Sequence, residues 1–244
     1  MQYSLHKKNM IKKAIILSGG LGSRLRPFTN AIPKPLLPVG EKAVLEIQIE
    51  RLVKYGFEEV ILATNYKSDY IKRFFGDGSR YGINLKISVE KEALGTAGPI
   101  KFVEYELTDP FLVMNGDILC LENYNDMFDF AVNQNSSLTV GVKEIVLPFA
   151  FGNISFKGDY VTKIEEKPDI TRYALAGIYV MKPELLKLIP SNTYFGMDQL
   201  IGTMLKNEIN ISKYEIKGYW LDIGNIENYE KAQDEYEQLI DEEE

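Results

Sequence analysis

Short apolar runs alternate with amphipathic segments along the first half of the chain. Four of these runs, each bounded by glycine or polar residues, have the length and composition of buried strands. They are Lys13–Ser18, Val60–Thr64, Leu85–Val89 and Phe111–Asn115. Between them, Val44–Tyr55 carries apolar residues at helical spacing and stops at Gly56, and a second helix is expected to begin with Ser68 as its N-cap. This alternation predicts a parallel sheet flanked by helices.

The pattern changes after about residue 138, where short strands follow one another closely. Gly158 and Asp159 form the predicted turn of a hairpin. Strands are predicted at Leu138–Val142, Asn153–Phe156, Tyr160–Glu165 and Leu175–Met181, and helices at Met197–Leu205 and Ile226–Ile240. Without an internal repeat or a flexible linker, the pattern predicts one α/β domain over residues 10–240. Its first part covers about 10–137 and a C-terminal lobe about 138–240, with an extension at 1–9 and an acidic tail at 241–244.

The charge distribution narrows the kind of ligand. The chain of 244 residues has a net charge of −7, which argues against a general nucleic-acid binder, because such proteins need a basic surface. Residues 1–40 nevertheless contain several lysines and arginines and no acidic residue. A local basic end on an acidic protein suits a small anionic ligand.

The counts of cysteine and histidine restrict the chemistry. Cys120 is the only cysteine, so an internal disulfide and a cysteine-based zinc site are excluded, and a buried thiol in a reducing compartment is expected. The only histidine, His6, lies in a polar leader, which leaves carboxylates, lysines and arginines for catalysis. No apolar run reaches the roughly 18 residues of a membrane span, and no signal-peptide pattern is seen, so we expect a cytoplasmic protein without a membrane partner.

A glycine-rich turn follows the first strand. Three glycines within Leu17–Gly22 let backbone N–H groups approach phosphate oxygens, and Arg24 and Lys34 can neutralise a polyphosphate. The turn is not a Walker loop, because it lacks Gly-Lys-Ser/Thr, and Leu25 stands where a dinucleotide fingerprint needs glycine. The alternative is an ordinary strand–turn–helix with basic surface residues.

Two neighbouring segments carry a resemblance to a known family. Gly19–Thr29 reads GGLGSRLRPFT and Pro33–Val39 reads PKPLLPV, and together they closely resemble the signature of the sugar-1-phosphate nucleotidylyltransferases, or nucleotide-sugar pyrophosphorylases. The resemblance extends from about Lys13 to Tyr236. It implies the nucleotide-diphospho-sugar transferase fold, a Rossmann-like α/β fold with a mixed, mostly parallel sheet flanked by helices. It also implies that the first part binds a nucleoside triphosphate and the C-terminal lobe a sugar 1-phosphate, giving a nucleotide-sugar and pyrophosphate.

The segment after the third strand indicates which nucleotide base the protein binds. Glu90–Pro99 reads EKEALGTAGP and looks most like the GDP-sugar branch of the family, in which this stretch lies against the base. Guanine presents N–H donors, which the acceptor-only carboxylate of Glu90 or Glu92 can bind. GTP is therefore favoured, with thymidine and uridine nucleotides as alternatives, while a helix N-terminus preceded by acids is the structural alternative. The nucleotide-binding residues implied are Leu17, Ser18, Gly19, Gly20, Gly22, Ser23, Glu90, Gly95 and Thr96.

Two aspartates are the candidate metal ligands. Asp117 ends the fourth strand, and ligands bind at the carboxyl ends of strands in open α/β sheets. The resemblance implies that Asp117 and Asp222 together hold Mg²⁺, which favours hard oxygen ligands. The structural alternatives are a helix cap for Asp117 and a turn residue for Asp222. The catalytic residues implied are Arg24, Lys34, Asp117 and Asp222.

The resemblance also marks residues for the sugar phosphate. They are Gly116, Gly152, Glu166, Lys167 and Gly177. The family usually has asparagine near the sugar at the position occupied here by Leu175, and its loss makes the pocket more apolar. The sugar is left open among an amino sugar of the N-acetylglucosamine type, mannose and manno-heptose, for bacterial surface glycans. Homo-oligomers are common in the family and are an expectation here.

Two functions of other classes compete with a nucleotidylyltransferase. A catalytically inactive nucleotide-binding regulatory subunit would keep the fold, but such proteins usually lose the charged residues of the site. The arginine, the lysine and both aspartates are present here. A dinucleotide-dependent oxidoreductase is disfavoured by Leu25.

Overall fold

A seven-stranded sheet forms the centre of the molecule in the computed structural model, which describes residues 10–241. The strands are β1 Lys13–Leu17, β2 Pro38–Val39, β3 Lys42–Ala43, β4 Glu59–Thr64, β5 Asn84–Val89, β6 Phe111–Asn115, β7 Ile118–Cys120, β8 Leu138–Pro148, β9 Asn153–Lys157, β10 Tyr160–Glu165, β11 Asp169–Met181, β12 Ile211–Glu215 and β13 Trp220–Asp222. The α-helices are α1 Phe28–Ala31, α2 Val44–Lys54, α3 Ser68–Phe75, α4 Gly98–Phe102, α5 Tyr124–Asn133, α6 Met197–Lys206 and α7 Ile226–Asp241. The predictions for residues 1–9, including His6, and for residues 242–244 lie outside the described residues.

The sheet is mixed and mostly parallel, as predicted. Its strand order is β12-β8-β11-β6-β1-β4-β5, and only β11 runs antiparallel to its neighbours, β6 and β8. Strands of both parts of the chain share this sheet, because β8, β11 and β12 follow residue 137. The division near residue 138, with the nucleotide bound by the first part and the sugar phosphate by the second, stays a prediction.

Helices cover both faces of the sheet because the central strands are apolar on both sides. In β1, Ala14 and Ile16 pack with Leu45 and Leu52 of α2 in one buried cluster. The side chain between them, Ile15, belongs to a second cluster that includes residues of α4 and α6. Successive residues of a strand point to opposite faces, so this short strand joins both halves of the core. Cys120 lies buried as a free thiol, as predicted.

Several elements differ from the sequence-based prediction. Helix α5 was not predicted, although Asn123 caps it by accepting bonds from the N–H groups of Asn125 and Asp126. Ser68 is not an N-cap, because Lys67 holds that position with a left-handed backbone, φ 54°, and Ser68 is the first helical residue. The short strands β7 and β13, which pair only with each other, were also not predicted.

Strands β8 and β11 are longer than predicted and form a ribbon that extends beyond the packed sheet. Asp169 pairs with Pro148 at its outer end and Leu175 with Val142 at its inner end. The hairpin of β9 and β10, predicted with its turn at Gly158, lies between the two strands in sequence. The ribbon residues beyond the sheet are mostly exposed, because no helix covers them.

Candidate active site

A cleft with a volume of about 240 Å³ lies at the carboxyl edge of β1, β4 and β6. Its position follows from the parallel pairing, in which Leu17 lies level with Ala63 on one side and Asn115 on the other. Chain segments that leave the sheet at this level diverge and leave a crevice between them. Predicted residues that line the cleft are Leu17, Ser18, Gly19, Gly20, Lys34, Glu90, Gly95, Thr96, Gly116 and Asp117.

Backbone hydrogen bonds hold the floor of the cleft together. The N–H of Ser18 donates to the carbonyl of Ala63 at 2.7 Å, and the N–H of Gly116 donates to the carbonyl of Leu17 at 2.9 Å. A Cβ on Gly116 would lie 2.8 Å from the Ser18 hydroxyl oxygen and 2.9 Å from the Leu17 carbonyl, so only glycine fits. The glycine turn and the turn carrying Asp117 therefore lie side by side.

Glu90 forms part of the cleft wall, with its side chain largely buried. Its Oε2 accepts a bond from the N–H of Leu94 at 3.0 Å, and its Oε1 faces Gly19. Burial raises the pKa of this carboxyl, an effect that the Leu94 bond opposes. Glu92 is exposed and does not line the cleft.

Asn65 is a cleft residue that the sequence did not reveal. It follows β4 directly, and its Nδ2 donates to the carbonyl of Glu90 at 3.3 Å. The amide therefore ties the end of β4 to the segment that begins with Glu90. The rule that ligands meet the carboxyl ends of parallel strands would have identified it, because Asn65 stands one residue after a predicted strand.

The segment with Gly95 and Thr96 is fastened to the start of α6. The N–H of Phe195 donates to the Leu94 carbonyl at 2.9 Å, and the Thr96 hydroxyl accepts from the N–H of Met197 at 2.8 Å. The hydroxyl of Thr96 is thus used within the protein itself. A role of Thr96 in nucleotide binding stays a prediction.

The two candidate metal ligands are brought together by the pairing of β7 with β13. Asp222 lies opposite Ile118, and the N–H of Ile223 donates to the carbonyl of Asp117 at 2.9 Å. Lys34, which also lines the cleft, forms an ion pair with the Asp117 carboxylate. Residues far apart in sequence thus meet at one end of the cleft.

Asp222 lies in a setting that suits a cation. Burial raises the pKa of its carboxyl, the nearby Asp117 carboxylate raises it further, and Lys34 and Arg24 act in the opposite direction. Its Oδ1 is buried and has no hydrogen-bond partner in the described part of the chain. A buried acceptor without a partner beside a second carboxylate fits a divalent cation, which would satisfy both.

Arg24 completes this cluster, although it does not line the cleft. A Cβ on Gly224 would lie 3.2 Å from Arg24 Nη2 and 2.9 Å from Asp222 Oδ1, which places the guanidinium beside the carboxylate. Gly22 and Ser23 also lie outside the cleft lining, on the turn that carries Arg24 to this position. The four predicted catalytic residues therefore converge.

Two carboxylates supply only a few of the ligands that a metal ion needs. Among residues 10–241, no group of three or more cysteine, histidine, aspartate or glutamate side chains is arranged to hold a metal ion. Mg²⁺ is commonly held by one or two carboxylates together with water and substrate phosphates. The pair therefore fits Mg²⁺ in the presence of a triphosphate.

The predicted sugar-phosphate residues fall into two groups. Gly116 and Gly177 lie near the aspartates; Gly177 has φ +70°, and a Cβ there would come within 2.7 Å of Asn115 Nδ2. Gly152 lies at the outer end of the ribbon, where a Cβ on it would be 3.4 Å from Glu166 Oε2. Lys167 follows with a left-handed backbone, φ 45°. The extended strand between the two groups is about 20 Å long. That both groups bind the same sugar phosphate therefore stays a prediction.

The described residues include no helix that is both long and apolar enough to cross a membrane. The sheet order and the cleft at its carboxyl edge define a Rossmann-like α/β protein. Residues 13–239 match the family model described as nucleotidyl transferase, and the chain therefore belongs to this family. The resemblance inferred from the glycine turn and the lysine segment is confirmed.

Relatives of known name agree with this assignment. The mannose-1-phosphate guanylyltransferase catalytic subunit beta of Danio rerio is 35% identical over 225 residues, which are 89% of this chain and 62% of the relative. The mannose-1-phosphate guanyltransferase of Hypocrea jecorina is 31% identical over 227 residues, with the same shares of 89% and 62%. The chain thus spans about 62% of the length of these curated relatives.

Solved structures share the fold. HddC from Yersinia pseudotuberculosis, in complex with GMP-PN, has a TM-score of 0.71 and 27% identity, covering 92% of this chain and 99% of that one. A putative glucose-1-phosphate thymidylyltransferase from Bacillus anthracis, in complex with a sucrose, has a TM-score of 0.76 and 26% identity, covering 91% and 94%. The predicted nucleotidyltransferase fold is confirmed.

Proposed function

We propose that this protein is a Mg²⁺-dependent sugar-1-phosphate nucleotidylyltransferase, which converts a nucleoside triphosphate and a sugar 1-phosphate to a nucleotide-sugar and pyrophosphate. The observation that carries this proposal is the meeting of Arg24, Lys34, Asp117 and Asp222 at one end of a cleft with a glycine-rich wall. Two cations and a pair of carboxylates beside backbone N–H groups are what a transfer between phosphates requires.

The chain's own residues act mainly by binding and neutralising charge. The N–H groups of Gly19 and Gly20 and the Arg24 guanidinium bind the β- and γ-phosphates and stabilise the leaving pyrophosphate. Lys34 leaves Asp117 and neutralises the α-phosphate as negative charge grows there. Mg²⁺ held by Asp117 and Asp222 supplies further charge neutralisation when bound.

The sugar phosphate is the nucleophile in this mechanism. One of its oxygens attacks the α-phosphorus in line, the bond to the β-phosphate oxygen breaks, and pyrophosphate leaves. Lys167 is assigned to hold this phosphate, and Glu166 to accept from sugar hydroxyls. Because a sugar phosphate is ionised at pH 7, no general base is needed, which agrees with a site made of carboxylates, lysine and arginine.

Guanine is the favoured base. Glu90 lies in the cleft wall with Oε1 directed toward Gly19, so it is the better of the two candidate acceptors for guanine N–H groups. The named relatives are guanylyltransferases, and one structural neighbour was solved with GMP-PN. Thymidine and uridine nucleotides are the alternatives, since another neighbour is named a putative thymidylyltransferase.

The sugar is proposed by class. Mannose 1-phosphate is suggested by the names of the relatives, whereas Leu175, about half exposed at the inner end of the ribbon, supplies no amide for a sugar hydroxyl. An N-acetylated amino sugar or a manno-heptose is therefore tested beside mannose. Use of the product in bacterial surface glycans, a cytoplasmic location and a homo-oligomeric state stay predictions.

The deciding experiment is a matrix of four nucleoside triphosphates against a panel of sugar 1-phosphates, with Mg²⁺ present and pyrophosphate release as the readout. We expect release with GTP and at least one of mannose, N-acetylglucosamine or manno-heptose 1-phosphate. If all pairs are silent while GTP binds, the regulatory-subunit alternative holds. Binding of a labelled nicotinamide dinucleotide would instead favour the oxidoreductase.

A further inference from the structure

The side-chain amide of Gln48 lies directly beneath the turn that carries Asp117. Gln48 belongs to α2 and is only 1% exposed. Its Nε2 donates to the carbonyl of Asn115 at 2.9 Å and to the carbonyl of Ile118 at 2.7 Å. These two carbonyls bracket Gly116 and Asp117, so one side chain holds both ends of the turn.

The side-chain amide of Gln48 has the hydrogen-bond donors that these two carbonyl groups require. A primary amide nitrogen carries two N–H donors, and the two partners here are carbonyl oxygens that only accept. This set of partners also fixes the orientation of the amide, because the reverse would face oxygen with oxygen. Gln48 Oε1 is buried without a hydrogen-bond partner among the described residues, a costly arrangement for a residue that serves packing alone.

Strand pairing also holds the turn, since Asn115 lies level with Leu17 and Ile118 opposite Asp222, and Gln48 adds the bonds that tie both ends to a helix. The N–H of Gly116 is bound to the Leu17 carbonyl, and the carbonyl of Asp117 accepts from the N–H of Ile223. These bonds hold the middle of the turn to β1 and to the segment after β13. Gln48 holds its two ends to α2, a helix packed in the core.

We propose that Gln48 is a positioning residue that sets the Asp117 carboxylate against Asp222 for binding Mg²⁺. The inference rests on the metal pair of the proposed function. Groups that hydrogen-bond to the residues holding a metal ion orient those residues, and their loss typically weakens metal affinity or activity by roughly 10–100-fold. Gln48 acts in this way through the backbone of the turn.

The test uses Gln48→Met, which keeps the length of the side chain and removes both donors. We expect the Mg²⁺ concentration for half-maximal activity to rise by roughly 10–100-fold. A second readout needs no turnover: calorimetric titration with GTP in Mg²⁺ and in EDTA gives the factor by which Mg²⁺ tightens binding. In the variant this factor falls toward one, whereas partial unfolding would lower the number of binding sites and leave the factor unchanged.

Thr139→Val is the matched control. Thr139 is 1% exposed, and its hydroxyl lies 2.7 Å from that of Ser212, in a strand pair outside the cleft. The control should lower Tm and leave the Mg²⁺ factor at the wild-type value. A wild-type factor in folded Gln48→Met, or an equal loss in Thr139→Val, overturns the proposal.

Two further measurements cover a variant that does not fold and a wild-type protein that does not bind GTP. If Gln48→Met does not fold, Gln48→Leu, whose apolar side chain also lacks both donors, is measured in the same way, and a wild-type Mg²⁺ factor there overturns the proposal. If wild-type protein does not bind GTP, the guanine assignment fails. The factor is then measured with whichever triphosphate the protein binds, so the two failures are told apart.

Discussion

The Lys34 ammonium group has an anionic partner within the protein, because it pairs with the Asp117 carboxylate. If Asp117 holds Mg²⁺ and Lys34 binds a phosphate, as proposed, each of the two residues would exchange this partner for a new one when a triphosphate binds. The ion pair therefore keeps both side chains in place while they are solvated poorly. The negative charge of Asp117 also offsets the cost of burying the Lys34 ammonium group, which is little exposed to solvent.

Replacing Lys34 with alanine tests its role in neutralising charge. We expect turnover to fall by at least roughly 100-fold, the usual effect of removing one group that stabilises transition-state charge. Pyrophosphate release measures turnover, and thermal unfolding checks that the fold is intact. Lys42→Ala is the control, because Lys42 forms an exposed ion pair with Glu50. Near-normal turnover in folded Lys34→Ala would remove Lys34 from the mechanism.

Asp222→Asn should separate stability from function. Because burial and Asp117 raise the pKa of this carboxyl, the folded protein holds its proton more tightly than the unfolded chain does. Its ionised form therefore costs stability as pH rises through the interval from the unfolded pKa to the raised folded pKa. In metal-free protein at pH 7, the variant should have the higher Tm, by about 2–4 °C for each kcal/mol removed. The difference should shrink as pH falls through that interval.

The same variant should lose Mg²⁺-dependent activity. Asp159→Asn, in the exposed hairpin turn, is the control and should change neither Tm nor the metal response. If Asp222→Asn responds to Mg²⁺ like the wild type, Asp117 must bind the ion with other partners. A lower Tm at pH 7 would contradict the expected cost of burying the carboxylate.

At the scale of elements, the pairing of β7 with β13 matters most for the site. This two-stranded sheet places Asp222 opposite Ile118 and next to Asp117. Neither strand was predicted separately, because each has three residues, too few to show a hydrophobic period. The long apolar strands β1, β4 and β6 were predicted, since they are continuous and buried on both faces.

Cys120 reports on this pairing because it lies in β7 opposite Trp220. Burial raises the pKa of its thiol to about 12, so little thiolate exists near pH 8. We expect native protein to react with a chromogenic disulfide reagent far more slowly than protein unfolded in guanidinium. Because the chain has one cysteine, the absorbance change has a single source. Rapid reaction of the native protein would show that β7 and β13 separate readily.

At the scale of the whole molecule, the fold brings two basic residues of the acid-free segment 10–40 to one end of the cleft. Arg24 and Lys34 come from this segment and reach carboxylates from two later parts of the chain. A bound triphosphate would therefore connect β1, the turn after β6 and the segment around β13. Ligand binding should stabilise the molecule as a unit.

Thermal unfolding tests this connection. A ligand that binds only the folded state at 100 times its Kd adds about 2.7 kcal/mol, which for a chain of this size raises Tm by several degrees. We expect such a rise with GTP and Mg²⁺ together, a smaller one with GTP in EDTA, and none with NAD. Equal shifts with and without Mg²⁺ would argue against a metal shared between protein and nucleotide.

The local sequence determined a large part of this protein. The apolar runs and helical spacing predicted the main strands, a sheet flanked by helices and four of the α-helices, because these signals arise from residues close together in the chain. The glycine turn and the lysine segment also identified the family through residues that are contiguous. Helix α5 was missed, although Asn123 and the apolar spacing that follows it carried a readable signal.

Only the tertiary structure decided which of these residues meet. The Asp117–Asp222 neighbourhood depends on a short antiparallel pair, and the setting of Asp117 depends on Gln48 from a helix much earlier in the chain. Long-range pairing leaves no periodic trace in either partner, because each segment is compatible with many neighbours until the core packs. The same packing buries Asp222 and shifts its pKa, which depends on solvent exclusion and nearby charge.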